Sequence, residues 1–176
     1  MTDVITDPEL ELYEVLKAPH PTLRVKSRPV DEVTDEIAHI FKRMHKTMHD
    51  DGGIGLAANQ VDLTIRVLTV DLQDGVHVYS MANPEITWKS EEKFIYKEGC
   101  LSFPSHYADV ERAKQIRVKF LDENNKEQEI EADELLSICI QHEIDHLDGI
   151  LFIDYLSRLK RDMIMRKMKK MGGISV

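Results

Sequence analysis

The stretch DELLSICIQHEIDHL, residues 133–147, decides how this chain is read. Leu135, Leu136, Ile138, Cys139 and Ile140 make its turns apolar nearly all round. A buried helix is expected, capped by Asp133 and ended near Gly149. His142, Glu143 and His146 on that helix spell H-E-x-x-H, two metal ligands and a base. Residues four apart lie one turn apart, with Cβ atoms about 5–6 Å from each other, so both imidazoles can grip one ion. Glu143 lies about 100° round the helix from His142. That is too far for a natural third ligand, but close enough to reach a metal-bound water. The bland alternative is a solvated helix face. Burial argues against it, because buried polar groups need partners and a metal supplies them. In the extended motif H-E-x-x-H-x-x-G-x-x-H a third His closes the shell. Here Gly149 fills the glycine slot, but Phe152 stands where that His would be.

The missing ligand has several candidates: Cys100, Cys139, the other histidines and several carboxylates. Cys139 precedes His142 by three residues, but its short side chain is a further turn from His146; it reads better as a small buried apolar residue. Cys100 stands in YKEGCLSFPS (96–105). There Gly99 permits close backbone approach and Pro104 fixes the loop beyond. A free Cys is usually only packed, yet a two-His site short of a ligand favours Cys100. A thiolate with two neutral His leaves an open position for water, as catalytic sites require.

A third feature is GGIGLAANQ, residues 52–60. It is not a phosphate loop, since no Lys-Ser/Thr follows and the glycine spacing is wrong. It reads either as a helix end and turn, or as bare backbone for strand-to-strand pairing with an extended peptide. Gln60 adds an amide donor that could hold an oxyanion.

The remaining chain suggests a single α+β domain over residues 1–176: mainly antiparallel strands around the buried H-E-x-x-H helix, with N-terminal and C-terminal helices. Val33, Ile37, Ile40, Phe41, Met44 and Met48 are spaced as on a helix, with Asp31 or Thr34 as cap and Gly52-Gly53 as stop. Residues 64–72 and 75–81 read as a strand pair, PEITW and EKFIYKEG as further strands, and 115–133 as a hairpin turning at Asn124-Asn125. LSRLKRDMIMRKMKKM forms a last helix, with a basic segment at about 157–171. Residues 157–170 hold seven Lys or Arg against one Asp, in a chain of net charge −9. The acidic body does not suit a nucleic-acid enzyme, whereas the basic end could dock. Apolar residues are 42% and charged residues 31%, a globular composition. No apolar run approaches the roughly 18 residues of a membrane span. The acidic opening, MTDVITDPELELYEV, lacks the features of a secretory signal. Two cysteines suggest no disulfide partner, and a reducing cytoplasm is expected.

GIGLAANQ, EGCLS and QHEIDH, in this order, resemble the three signature motifs of the peptide deformylases. The resemblance runs from LRVKSRPV to LFIDYLSRLK, and the C-terminal helix is similar to that of the bacterial class ending this way. It implies removal of the formyl group from the N-terminal formylmethionine of nascent polypeptides. By the same resemblance, Cys100, His142 and His146 would hold one divalent metal, natively Fe2+, with Zn2+, Ni2+ or Co2+ as substitutes. Glu143 would act as general base and then acid. Gln60 and the Leu101 N–H would stabilise the oxyanion. Ile54, Gly55 and Gly99 would pair with the substrate backbone. Leu135, Ile138 and Cys139 would help line a methionine pocket, and the basic C-terminal helix would dock on ribosomal RNA. Two positions depart from the common pattern: Phe103 replaces Ile, and Tyr107 replaces Arg at the rim of the peptide groove. From the residues alone, two rivals stay open: a zinc endopeptidase, and a non-catalytic metal- or peptide-binding protein.

Overall fold

Asp35–Asp50 form helix α1 because Thr34 caps it, its hydroxyl accepting the Ile37 N–H at 3.3 Å, and because Phe41, Met44 and Met48 recur on one buried face. Of the two expected caps, Thr34 is the one used. The chain leaves the helix through Gly52 at φ 73°, a left-handed conformation suited to glycine. This computed structural model describes residues 10–172. The reading of the acidic opening therefore lies in part, at residues 1–9, outside the described residues, as do residues 173–176.

Seven strands follow: β1 Gly55–Ala57, β2 Val67–Asp71, β3 Val78–Lys89, β4 Lys93–Cys100, β5 Phe103–Ala113, β6 Gln115–Leu121 and β7 Glu127–Asp133. Five form an antiparallel sheet in the order β1-β2-β3-β6-β7, and β4 pairs with β5 in a separate hairpin. β2 is buried on both faces. Val67 joins the α1 side with Phe41, Met44 and Leu56, while Leu68 and Val70 face the opposite core with Ile140 and Leu147. The two-residue alternation of a strand thus feeds two helices at once.

Three expectations change. PEITW is not a strand of its own: β3 runs through it, with register shifts around Asn83 and Ile86. Asn83 takes φ 49° there, and its amide bonds both the N–H and the C=O of Val30. The loop expected beyond Pro104 is the long strand β5. Pro104 is tolerated because a two-stranded sheet leaves one edge of β5 without ladder bonds. GGIGLAANQ is more than a helix end, since Gly55–Ala57 pair with Leu68–Val70 and Ala58–Val61 make a 3-10 turn.

Glu134–Leu147 form α2, buried along most of its length against β1, β2, β7 and β5. Gly149 ends it at φ 74°, with the Ile150 N–H bonding the Asp145 carbonyl. Arg158–Met171 form α3, capped by Ser157. Met168 is buried and Ile164 and Met165 pack beside it, so α3 lies on the domain through these three, while Leu159 and Met163 stay exposed. Among the described residues no helix is long and apolar enough to cross a membrane.

Candidate metal centre and substrate cleft

Helix α2 carries His142 and His146 one turn apart, with ring centroids 5.0 Å from each other. The hairpin β4–β5 brings Cys100 across to them. The donor atoms of Cys100, His142 and His146 all lie within 4.8 Å of one another, and Cys100 Sγ is 3.2 Å from His146 Nε2. Two ligands of one ion, each bonded at about 2.0–2.3 Å, stand about that far apart. A thiol and two imidazoles suit a divalent transition metal. Phe152, in the slot of the missing His, stacks on His142 at 6.1 Å and meets Phe103 edge-on at 5.2 Å. It serves as backing for a ligand.

His142 is fixed by Glu98, whose Oε1 lies 2.7 Å from Nδ1. That turns the other ring nitrogen toward the cluster. Glu98 in turn takes both Nε and Nη2 of Arg112, at 2.5 and 3.0 Å, and Arg112 Nη1 bonds Asp145 at 2.8 Å. Tyr155 Oη donates to the same Asp145 oxygen at 2.7 Å. Burial opposes ionisation of Glu98, but the His142 and Arg112 hydrogen bonds outweigh it and lower its pKa. Burial also opposes a charged His142, yet the Cys100 and Glu98 bonds hold it well above the usual imidazole range. His146 goes the other way, pushed well down by burial and by the charge of His142.

Glu143 is buried, and its Oε2 has no hydrogen-bond partner. Burial pushes its pKa up to about 7, where a carboxyl can both accept and release a proton at neutral pH. Gly55 makes room for it: a Cβ there would stand 2.5 Å from Glu143 Oε1 and 2.9 Å from Cys139 Sγ. Gln60 is held by the Ala57 N–H on its Oε1 at 2.9 Å, and its Nε2 donates to Ser102 Oγ at 3.1 Å and lies 3.6 Å from Cys100 Sγ. Asn59 donates to the His146 carbonyl, tying the 3-10 turn to α2.

A cleft of about 580 Å³ opens over these groups. Gly53–Gly55 form one wall, Tyr96–Leu101 the other, and Leu135, Ile138, Cys139, His142 and Glu143 line its depth. Both walls offer strand edges. β1 ends the five-stranded sheet, and β4 has a partner on one side only. Within them Gly55 already pairs with Val70 and Gly99 with Tyr107 through their other edges. The Ile54 carbonyl accepts the Asp71 N–H at 2.9 Å, and Cys139 Sγ lies 3.6 Å from it. The Leu101 carbonyl takes Lys17 Nζ at 2.9 Å. Cys139 is buried, and burial raises its thiol pKa, as expected for a packed side chain. Every residue expected at the site thus lies at or lines this one cleft or its metal cluster. Glu98, Arg112, Asn59 and Ser102 escaped the sequence reading. Glu98 carried a usable signal: it stands two residues before Cys100, hence on the same face of a strand.

A thiol and two imidazoles beside a carboxylate oxygen that nothing engages are the parts of a metal-dependent hydrolase. The kind of hydrolase follows from the whole sequence: the chain belongs to the polypeptide deformylase family, whose family model matches residues 12–162. It is 46% identical over 166 residues to the peptide deformylase of Bartonella tribocorum, covering 92% of this chain and 93% of that one. With the Rhizorhabdus wittichii peptide deformylase it shares 48% over 164 residues, 89% and 93% of the two chains. The crystal structure of the Ehrlichia chaffeensis peptide deformylase in complex with actinonin superposes with a TM-score of 0.89 at 37% identity, covering 92% of this chain and 98% of that one. That of Legionella pneumophila gives 0.86 at 38% identity, covering 93% and 97%.

Proposed function

We propose that residues 1–176 work as one metallohydrolase domain that removes the formyl group from the N-terminal formylmethionine of nascent polypeptides in the cytoplasm. The observation that carries this is the convergence of Cys100, His142 and His146 beside the unpartnered Glu143 carboxylate, in a cleft walled by two strand edges. Cys100, His142 and His146 would hold one divalent ion, Fe2+ natively, with Zn2+, Ni2+ or Co2+ as substitutes. Such an ion, when bound, lowers the pKa of its water toward ~7 and polarises the formyl oxygen.

The chain's own groups do the rest. The substrate lies extended between Ile54–Gly55 and Gly99, pairing with their backbone. Its methionine side chain enters the pocket of Leu135, Ile138 and Cys139. Glu143 takes the proton of the attacking water as oxygen adds to the formyl carbon. Gln60 Nε2 and the Leu101 N–H donate to the oxyanion, each donor contributing about 10²–10³ in rate. The C–N bond then breaks, Glu143 passes its proton to the amine, and formate and a free methionine N-terminus leave. Glu98 keeps His142 in one tautomer throughout. An endopeptidase reading gains nothing from the fold, because the third donor is a hairpin thiol.

Formate release from a formyl-Met peptide by anaerobically purified protein, with metal analysis of the same sample, tests the reading. One ion per chain and turnover abolished by chelation are expected. A fully loaded protein that releases no formate refutes it. The basic helix α3 would dock on ribosomal RNA. Removing residues 160–176 should then weaken ribosome binding and flatten its salt dependence. Unchanged binding ends the docking idea.

A further inference from the structure

A second groove opens off the cleft, between the β4–β5 hairpin and α3, enclosing about 500 Å³. Lys97 and Tyr107 line both spaces, so the groove adjoins the cleft. Beyond them it is floored by Leu156, Met163 and Ile164 and flanked by Lys160 and Lys167. Lys160 and Lys167 are seven residues apart on α3, two turns along one face, with Met163 and Ile164 between them. Asp109, opposite Lys97 across the hairpin, is the one acidic residue in the lining. None of the three lysine ammonium groups makes an ion pair with a described residue. In a chain of net charge −9 this is a positive channel leading away from the reaction centre.

Its reach fits a peptide. A strand rises about 3.3 Å per residue, so Lys97 stands roughly 10 Å along β4 from Cys100. An extended chain with its N-terminus at the donor cluster arrives at Lys97 by about its third or fourth residue. The next residues then meet the apolar floor and the two α3 lysines.

We propose that this groove receives the downstream segment of the substrate chain, from about its fourth residue on, and favours segments bearing Asp or Glu. This rests on the deformylase reading of the cleft and adds a substrate preference to it. The α3 lysines select by charge, while Leu156, Met163 and Ile164 accept apolar side chains interleaved with the acids.

Formyl-Met decapeptides differing only at positions five to eight, all Glu, all Ser or all Lys, test it against formyl-Met-Ala-Ser. The Glu peptide should show a KM about three- to tenfold below that of the Ser peptide, the size expected of two surface ion pairs. Its kcat should be shared, and the advantage should shrink in about 0.5 M salt. In the K160Q/K167Q double variant the advantage should vanish, with formyl-Met-Ala-Ser kinetics unchanged. Equal KM values for the three decapeptides, or a Glu preference that survives the double substitution, overturn the groove. Failure of the metal-loaded wild type on formyl-Met-Ala-Ser overturns the deformylase reading instead. Anisotropy of a fluorescent Glu decapeptide, with wild type and double variant, then still decides the groove: tighter binding to the wild type supports it, and equal binding sinks it.

Discussion

Glu143 sits buried with one carboxylate oxygen unengaged, next to a glycine that leaves no room for a Cβ. A carboxylate kept unpaired at that burial is costly unless it has work to do. Glu143→Ala should therefore keep its metal and lose turnover by about 10²–10⁴ or more, the range for a lost general acid–base group. Metal analysis beside kinetics checks this, and near-normal turnover would remove Glu143 from its role. Glu98 acts through His142 rather than on substrate. Glu98→Gln should weaken metal binding about 10- to 100-fold, as changes behind a metal ligand do. Chelator competition reads it, and an unchanged affinity would mean that the 2.7 Å contact is incidental. The two histidines and Glu143 were legible because one helix spaces them. For Glu98 the strand period offered only its side of β4; that it meets His142, 44 residues away, nothing local announces.

Helix α2 shows the same division between elements. Its cap, apolar turns and glycine stop are local signals, and all three hold. What the glycine avoids is not local: a Cβ on Gly149 would come within 2.5 Å of the Arg24 carbonyl, at a φ that L side chains rarely adopt. Gly149→Ala should destabilise the fold by at least about 1–2 kcal/mol, the cost of a left-handed non-glycine residue. Urea unfolding measures this, and a neutral result would mean the Arg24 backbone yields freely. The hairpin β6–β7 was equally legible, since Asn125 takes φ 58° where the turn was placed. β5 was not. Its burial alternates, but the inward positions include Pro104, His106 and Arg112 and the outward ones Tyr107, so residue type hides the period, and pairing with β4 supplies most of what defines the strand.

On the scale of the whole molecule, α1 and α2 cover opposite faces of one sheet, and acid should loosen that packing through His45. Burial, then repulsion from His49, lowers the His45 pKa from 6.5 to about 4. Between those values the unfolded chain binds a proton that the folded chain refuses. Stability is thus full above about pH 6.5 and lost as pH falls toward 4, at about 1.4 kcal/mol per unit. From pH 7 to 5 the wild type should lose about 2 kcal/mol more than His45→Gln. Parallel losses in the two proteins would exclude His45 as a source of acid sensitivity.

The sequence by itself determined the buried helix, the spacing of its two imidazoles and its carboxylate, and the turns and caps around them. Each of these is set by the period or the φ preference of a few neighbouring residues. Only the tertiary structure decided that the Cys100 thiol meets those imidazoles, that Glu98 locks one of them, and that two strand edges face each other across the cleft. Those contacts join segments far apart in the chain. Their free energy comes from pairing and burial after the loops close, and the local pattern of one segment does not specify its partner in the other.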